Sequence, residues 1–386
     1  MKYKFIAKRY WNFKEASLSK TNEMVKRYKD IIDLSIGDPD YPVDLSIIEN
    51  MYKDALAGHT RYTEFLGDEE LRKEICKSYR EDCRCNYTKE NVFITSGGTH
   101  AMYLLLESIL DEGDEVIAIA PYYIYYEPQI RLAKGNLIVY NTLSESNFEI
   151  DIGELEKTIS YRTKAIIINS PNNPTGRVYN ENTIKALIDL ANKHDFIIIA
   201  DDIYGALNFT NFKKPVCSYD YKNERIVTIY SYSKDYCMTG FRLGHIIADE
   251  KIIECIKNVN ESVNFTINAM AQRAGIYAIR RRKEIQSGIY EEYRKRIFYA
   301  YERIRNINNM EANLPEGTFY LFPKIKGTGL TSEEIWEKIL DDAHVLVLPG
   351  NGFGEAGEGH IRIACTVGIE KLKEAFDRIE NMKIFK

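Results

Sequence analysis

Between residues 91 and 249 the chain alternates short, uninterrupted apolar runs with segments of helical periodicity. The runs cover 92–94, 115–120, 137–140, 165–169, 196–201, 226–230 and 244–248. A strand with one wet face alternates apolar and polar residues, whereas a strand that is apolar at every position needs cover on both faces. Seven such runs interleaved with helices predict an α/β fold, a mainly parallel seven-stranded sheet lying between helices. Ligands of such sheets collect at the carboxyl ends of the strands. The residues just after each run are therefore where chemistry is expected.

Beyond Ala269 a helical stretch continues to about Ile307, and 318–323, 345–348 and 360–364 read as strands of a smaller α+β unit. At 386 residues the chain is long enough for two domains. A net charge of −5 offers no general basic surface for nucleic acid or membrane. The cluster Arg280-Arg281-Arg282-Lys283 is expected to be a solvated helix face. No window approaches the roughly 18 apolar residues of a membrane span, and the N-terminus lacks the pattern of a signal peptide. The seven cysteines are odd in number and scattered, and Cys76, Cys83 and Cys85 lack a companion Cys/His pair at ligand spacing. Free thiols in a cytoplasm, with no metal, are expected.

Four strand ends carry distinctive residues. The run ending at Tyr230 leads into Ser231-Tyr-Ser-Lys234, followed by Thr239-Gly-Phe-Arg242. A lysine placed there beside hydroxyls and an arginine suits an amine that forms an imine next to a bound phosphate. The run ending at Asn169 breaks into Ser170-Pro-Asn-Asn-Pro-Thr-Gly176, and the run 196–201 delivers Asp201 and then Tyr204. Arg362 lies in the alternating segment 360–364. In this order and spacing, from about Leu34 to Ile369, the motifs resemble the class I/II pyridoxal-phosphate aminotransferases of the aspartate aminotransferase superfamily, fold type I.

That resemblance implies a large cofactor-binding domain over 46–290 and a small domain made of 1–45 with 291–386. It implies pyridoxal 5′-phosphate as cofactor and Lys234 as its attachment point and proton shuttle. Asp201 matches the carboxylate that keeps the pyridine nitrogen protonated, in preference to Asp202. Tyr204 and Asn173 match donors to the cofactor's phenolate oxygen. The phosphate would take backbone donors at Gly97 or Gly98, the hydroxyls of Thr99 and Ser231, and the fork of Arg242. Tyr123 would stack on the cofactor ring, while Tyr122, Tyr125 and Tyr126 read as packing or pocket-lining residues. Arg362 matches the clamp on the substrate α-carboxylate, and Gly37 is expected to add a backbone donor there. Tyr62, in Arg61-Tyr62-Thr63, matches a tyrosine that reaches the phosphate of a neighbouring subunit, so a homodimer is implied.

The activity implied is transfer of an amino group between an L-amino acid and a 2-oxo acid by a ping-pong mechanism. A C–S β-lyase and a non-catalytic sensor are the rivals; retention of Lys234 and the lack of an added DNA-binding helical domain count against the sensor. For the donor, Thr99 stands where some dicarboxylate-preferring relatives have a lysine. Tyr122, Tyr123, Tyr125, Tyr126, Trp11 and Phe13 offer rings around the expected pocket. Aromatic or large neutral donors are expected to be used at least as well as aspartate. The alternative is an aspartate-specific enzyme with a distal arginine elsewhere.

Overall fold

A computed structural model describes residues 4–7, 10 and 28–386; Trp11 and Phe13 lie outside these described residues. The seven expected strands form one sheet. They are β1 (Val92–Thr95), β2 (Glu115–Ala120), β3 (Asn136–Asn141), β4 (Thr163–Asn169), β5 (Ile197–Asp201), β6 (Ile226–Ser231) and β7 (Gly244–Ile247). Their order is β1-β7-β6-β5-β4-β2-β3. Neighbours from β6 to β3 pair in parallel, and β7 runs antiparallel to both β6 and β1. The link from β6 to β7 holds a four-residue helical turn, Tyr232–Asp235, where a crossover helix would be needed to keep the direction parallel.

The continuous apolar runs have the predicted cause except at the edge strand β3, where Val139 is 38% exposed because no strand pairs beyond it. Ile117, Ile166, Ile168, Ile198 and Ala200 join one buried cluster. Their neighbours Val116, Ala118, Ile167, Ile199 and Val227 join another on the opposite face. A further core gathers Ile32, Leu34, Ile297, Trp336, Leu340 and Phe376, and Ile32–Asp33 pairs in parallel with Val345–Leu346. Beside it lies a three-stranded antiparallel sheet of β8 (Tyr320–Leu321), β9 (Leu348–Pro349) and β10 (Ile361–Ala364), ordered β8-β10-β9.

Two expectations need correction. The helical stretch from Ala269 is two helices, Ala269–Arg280 and Arg282–Arg305, broken at Arg281 with φ −104° and ψ 14°. The Arg280–Lys283 cluster spans that break and is not a solvated face. Arg280 pairs with Glu70 (2.7 Å) and Glu74 (2.8 Å), Arg281 with Asp44 (2.8 Å), and Arg282 with Glu81 (2.7 Å) and Asp82 (2.5 Å). The turn at Arg281 fans these side chains towards different partners, stitching both helices to Glu69–Cys83. Lys283 alone keeps the expected character, with its side chain 78% exposed. The cysteines are free, and Cys85 Sγ donates to Cys83 O at 3.6 Å. Among the described residues no group of side chains has the make-up of a metal site, and no helix is long and apolar enough to cross a membrane.

The turn-rich loop 350–359 is held by close backbone approach. Gly350 donates its N–H to His360 O at 2.8 Å, and a Cβ at Gly350 would meet that oxygen at 2.6 Å and the Gly357 carbonyl more closely still. Backbone cannot swing aside as a side chain does. Gly350→Ala is therefore expected to destabilise the fold by about 1–3 kcal/mol, read as a lower denaturant midpoint at unchanged slope. An unaltered midpoint would show that the loop yields freely.

Candidate active site

The strand ends open into a cleft of about 450 Å³. Of the residues singled out in the sequence, Gly37, Gly98, Thr99, Tyr123, Asn173, Asp201, Tyr204, Ser231, Lys234, Arg242 and Arg362 all line it. Gly97 stands just behind, with φ +83°; a Cβ there would sit 2.7 Å from Arg242 Nη2. Tyr62 is not among the lining residues. Its side chain is 82% exposed and packs edge-on against Phe265 at 5.1 Å.

Register explains the gathering. Asn169, the last residue of β4, lies opposite Asp201, the last of β5, and Ser231 ends β6 nearby. Asn169 Nδ2 donates to Asp201 O at 2.8 Å, and Asn169 Oδ1 accepts from Asn173 N at 2.7 Å. The Asn-Pro turn is thus tied to the neighbouring strand end. At β1 the chain turns through Gly97 into the helix Gly98–Ile109, whose first N–H groups have no intrahelical acceptor. Ser231, Ser233 and Arg242 stand around that helix start, and Arg242 makes no ion pair among the described residues. Its Nη1 is held by Thr239 O at 2.9 Å. Helix start, hydroxyls and guanidinium together form an anion cradle.

Asp201 is 5% exposed. Tyr126 donates its hydroxyl to Asp201 Oδ2, while Oδ1 has no partner among the described residues. Burial raises this carboxyl to about 6, opposed by the Tyr126 hydrogen bond. Burial also drives the hydroxyls of Tyr126 and Tyr204 well above their ordinary range, so both remain donors. Tyr204 OH lies 3.3 Å from Tyr320 OH. Tyr123 is ringed by Tyr125 at 5.3 Å and Tyr126 at 5.6 Å.

Arg362, 5% exposed, donates through Nη1 to Asn173 Oδ1 at 3.0 Å and through Nη2 to the Ser35 carbonyl. Its guanidinium lies over the Tyr320 ring at 4.3 Å, and Nε is buried without a partner among the described residues. The carbonyl oxygen of Gly37 accepts from Lys234 Nζ at 2.5 Å, which leaves its N–H free of that bond. Burial brings Lys234 down to about 8; Asp38 opposes the shift, and Arg362 and Arg242 reinforce it.

Three residues matter more than sequence reasoning allowed. Tyr126 holds Asp201, Tyr320 backs Arg362 and Tyr204, and Gln129 Nε2 ties to Thr99 O at 2.7 Å. Tyr126 and Tyr320 are two among 28 tyrosines, and no local spacing set them apart.

The model of the aminotransferase class I and II family matches residues 29–379. The chain belongs to that family. The aspartate aminotransferase of Thermotoga maritima is 33% identical over 363 residues, covering 94% of each chain. The aromatic-amino-acid aminotransferase 2 of Thermococcus litoralis is 33% identical over 377 residues, covering 95% of each. A crystal structure of the Thermotoga maritima aspartate aminotransferase superposes with a TM-score of 0.91 at 32% identity, over 97% of this chain and 99% of that one. This aminotransferase has fold type I and uses pyridoxal 5′-phosphate, as its family does.

The amine of Lys234 yields a prediction independent of turnover. Below about 8 it is protonated and unreactive; above that it is a free nucleophile. Reductive methylation of the cofactor-free protein, followed by peptide mapping, should show the Lys234 rate rising with pH and levelling just above 8. Surface lysines should rise on towards about 10.4. A Lys234 profile that follows the surface lysines would contradict the effect of burial.

Proposed function

We propose that this aminotransferase moves amino groups between aromatic or large neutral amino acids and 2-oxo acids, using such donors at least as well as aspartate. The observation that carries this reading is the set of cations in the cleft. Among the described residues that line it these are Lys234, Arg242 and Arg362, and each has a task other than gripping a distal carboxylate. The remaining wall is rich in rings and apolar groups, including Met102, Tyr123, Tyr125 and Tyr320. Rings of that kind favour an aromatic or thioether side chain. An aspartate-specific enzyme needs a further cation, and the names of several relatives keep that reading in view.

The site residues fit the cofactor on observations of this chain. Asp201 keeps an unpartnered oxygen in the cleft, Arg242 faces a glycine cradle without a carboxylate of its own, and Lys234 has a lowered proton affinity. Bound pyridoxal phosphate supplies the electron sink for bond breaking at the substrate α-carbon. Lys234 Nζ would hold the cofactor covalently and, once freed, its amine would be the group that moves the proton at the substrate α-carbon. Asp201 would keep the pyridine nitrogen protonated, with Tyr126 fixing the carboxylate. Tyr204 OH and Asn173 Nδ2 would donate to the phenolate oxygen, since Asn173 Oδ1 is already committed to Arg362. Gly97, Gly98, Thr99, Ser231 and Arg242 would hold the phosphate, Tyr123 would cover the ring, and Arg362 would clamp the α-carboxylate with Gly37 beside it.

We further propose that two copies complete each site, with Tyr62 of one chain reaching the phosphate held by the other. Its exposure and its absence from its own cleft support this. The large domain would span 46–290, and the small one 1–45 with 291–386. A cytoplasmic setting would keep all seven thiols reduced. Mixing inactive Lys234→Ala chains with inactive Tyr62→Ala chains should restore activity, because one intact site forms per mixed dimer. Full activity in a monomer would end this proposal.

The donor preference is tested by comparing kcat/KM for tyrosine, phenylalanine, methionine and aspartate with 2-oxoglutarate as acceptor, scoring 2-oxo acid formed. At least one of the first three should equal or exceed aspartate. A preference for aspartate of more than about tenfold over all three, roughly 1.4 kcal/mol of barrier, would overturn it.

A further inference from the structure

Behind the strand ends that form the cleft lies a second cavity of about 180 Å³, sharing no lining residue with the first. Consecutive residues divide between the two: Asp201 and Lys234 face the cleft, while Asp202 and Asp235 face the second cavity. Asp202 is 5% exposed, and its Oδ2 has no hydrogen-bond partner among the described residues. Asp235 is 1% exposed. Its Oδ2 accepts from Ala206 N at 3.0 Å and Tyr230 OH at 2.9 Å, while Oδ1 has no partner among the described residues. Two buried carboxylates thus each keep one oxygen uncommitted beside the same space. Buried polar atoms left this way are rare, because each costs the desolvation of an unmade hydrogen bond.

The surroundings restrict what would satisfy them. Among the described residues no group of side chains is composed to hold a metal ion. The cavity walls include Tyr79, Tyr230 and Tyr236, and His245 stacks on Tyr230 at 4.9 Å. Ring faces favour an organic cation over a hydrated metal. Burial lifts Asp202 to about 8 and Asp235 to about 7, so near neutrality they hold protons in place of a cation. The rim carries the opposite charge. Lys213 and Lys214 are exposed there, and neither makes an ion pair among the described residues. Lys213 Nζ instead lies over the Tyr290 ring at 4.5 Å. Arg282 and Asp82 also line the cavity but pair with each other, and Arg282 with Glu81 as well, so Lys213 and Lys214 are its cations without a carboxylate partner among the described residues.

We propose that this cavity binds a small zwitterion, its primary ammonium group received by Asp202 and Asp235 and its anionic group by Lys213 and Lys214. This site is separate from the substrate cleft and does not rest on the donor preference proposed above.

The test is calorimetric titration of the holoenzyme with β-alanine, 4-aminobutyrate and 6-aminohexanoate, alongside butylamine and butyrate. At least one zwitterion should bind saturably at one site per chain while the cofactor absorbance stays unchanged. The single-charge probes should bind at least tenfold more weakly. Lys213→Ala/Lys214→Ala, at exposed positions, should retain turnover and lose at least tenfold in zwitterion affinity, and Asp202→Asn should lose a similar factor. If Asp202→Asn does not fold, the lysine variant decides alone. The proposal is overturned by an absence of saturable heat up to about 10 mM probe, by binding that moves the cofactor absorbance in step, or by unchanged affinity in the lysine variant.

Discussion

Parallel strands covered on both faces have no place for a polar side chain along their length, so polar groups are pushed to where the strands stop. Every central feature of this enzyme follows from that. Asn169, Asp201 and Ser231 are the last residues of three strands in the main sheet, and the register of β4 against β5 sets the first two side by side. The apolar faces keep water and stray donors away from this row. That isolation lets burial push Asp201 up to about 6 and Lys234 down to about 8. One desolvated setting thus moves an acid up and a base down, as buried functional groups often are.

Around that row the structure spends its tyrosines on orientation. Tyr126 holds one Asp201 oxygen and leaves the other to the cleft. Tyr320 lies beneath the Arg362 guanidinium and beside the Tyr204 hydroxyl. Arg362 is thereby held between a ring, an amide oxygen and a backbone carbonyl, with no carboxylate partner among the described residues. A buried guanidinium satisfied by neutral acceptors keeps its charge available to an anionic substrate.

Much of this was legible in the sequence because period and position are local properties. Seven uninterrupted apolar runs announced seven strands, and residues following those runs named most of the cleft. What stayed hidden depends on contacts distant in sequence. The break at Arg281 leaves the helical periodicity intact on either side, so only the ion pairs to Asp44, Glu70 and Glu81 disclose that the basic cluster is a seam. The importance of Tyr126 rests on a partner 75 residues away, and that of Tyr320 on Arg362 in the adjoining strand. A ring among so many others carries no local mark of such a partner. Asp202 was weighed only as a substitute for Asp201, because strand alternation alone does not show that a second space awaits it.

Asp201 and Asp202 are joined by a single peptide unit and open into separate cavities. Negative charge on Asp201 raises the proton affinity of Asp202. The sheet therefore behaves as a thin dielectric between two facing plates. A cation drawn to Asp201 makes the potential at its neighbour less negative and lowers that neighbour's proton affinity, and ionisation of the neighbour returns the influence. Electrical state can pass between the two compartments without movement of the backbone, over the span of adjacent residues.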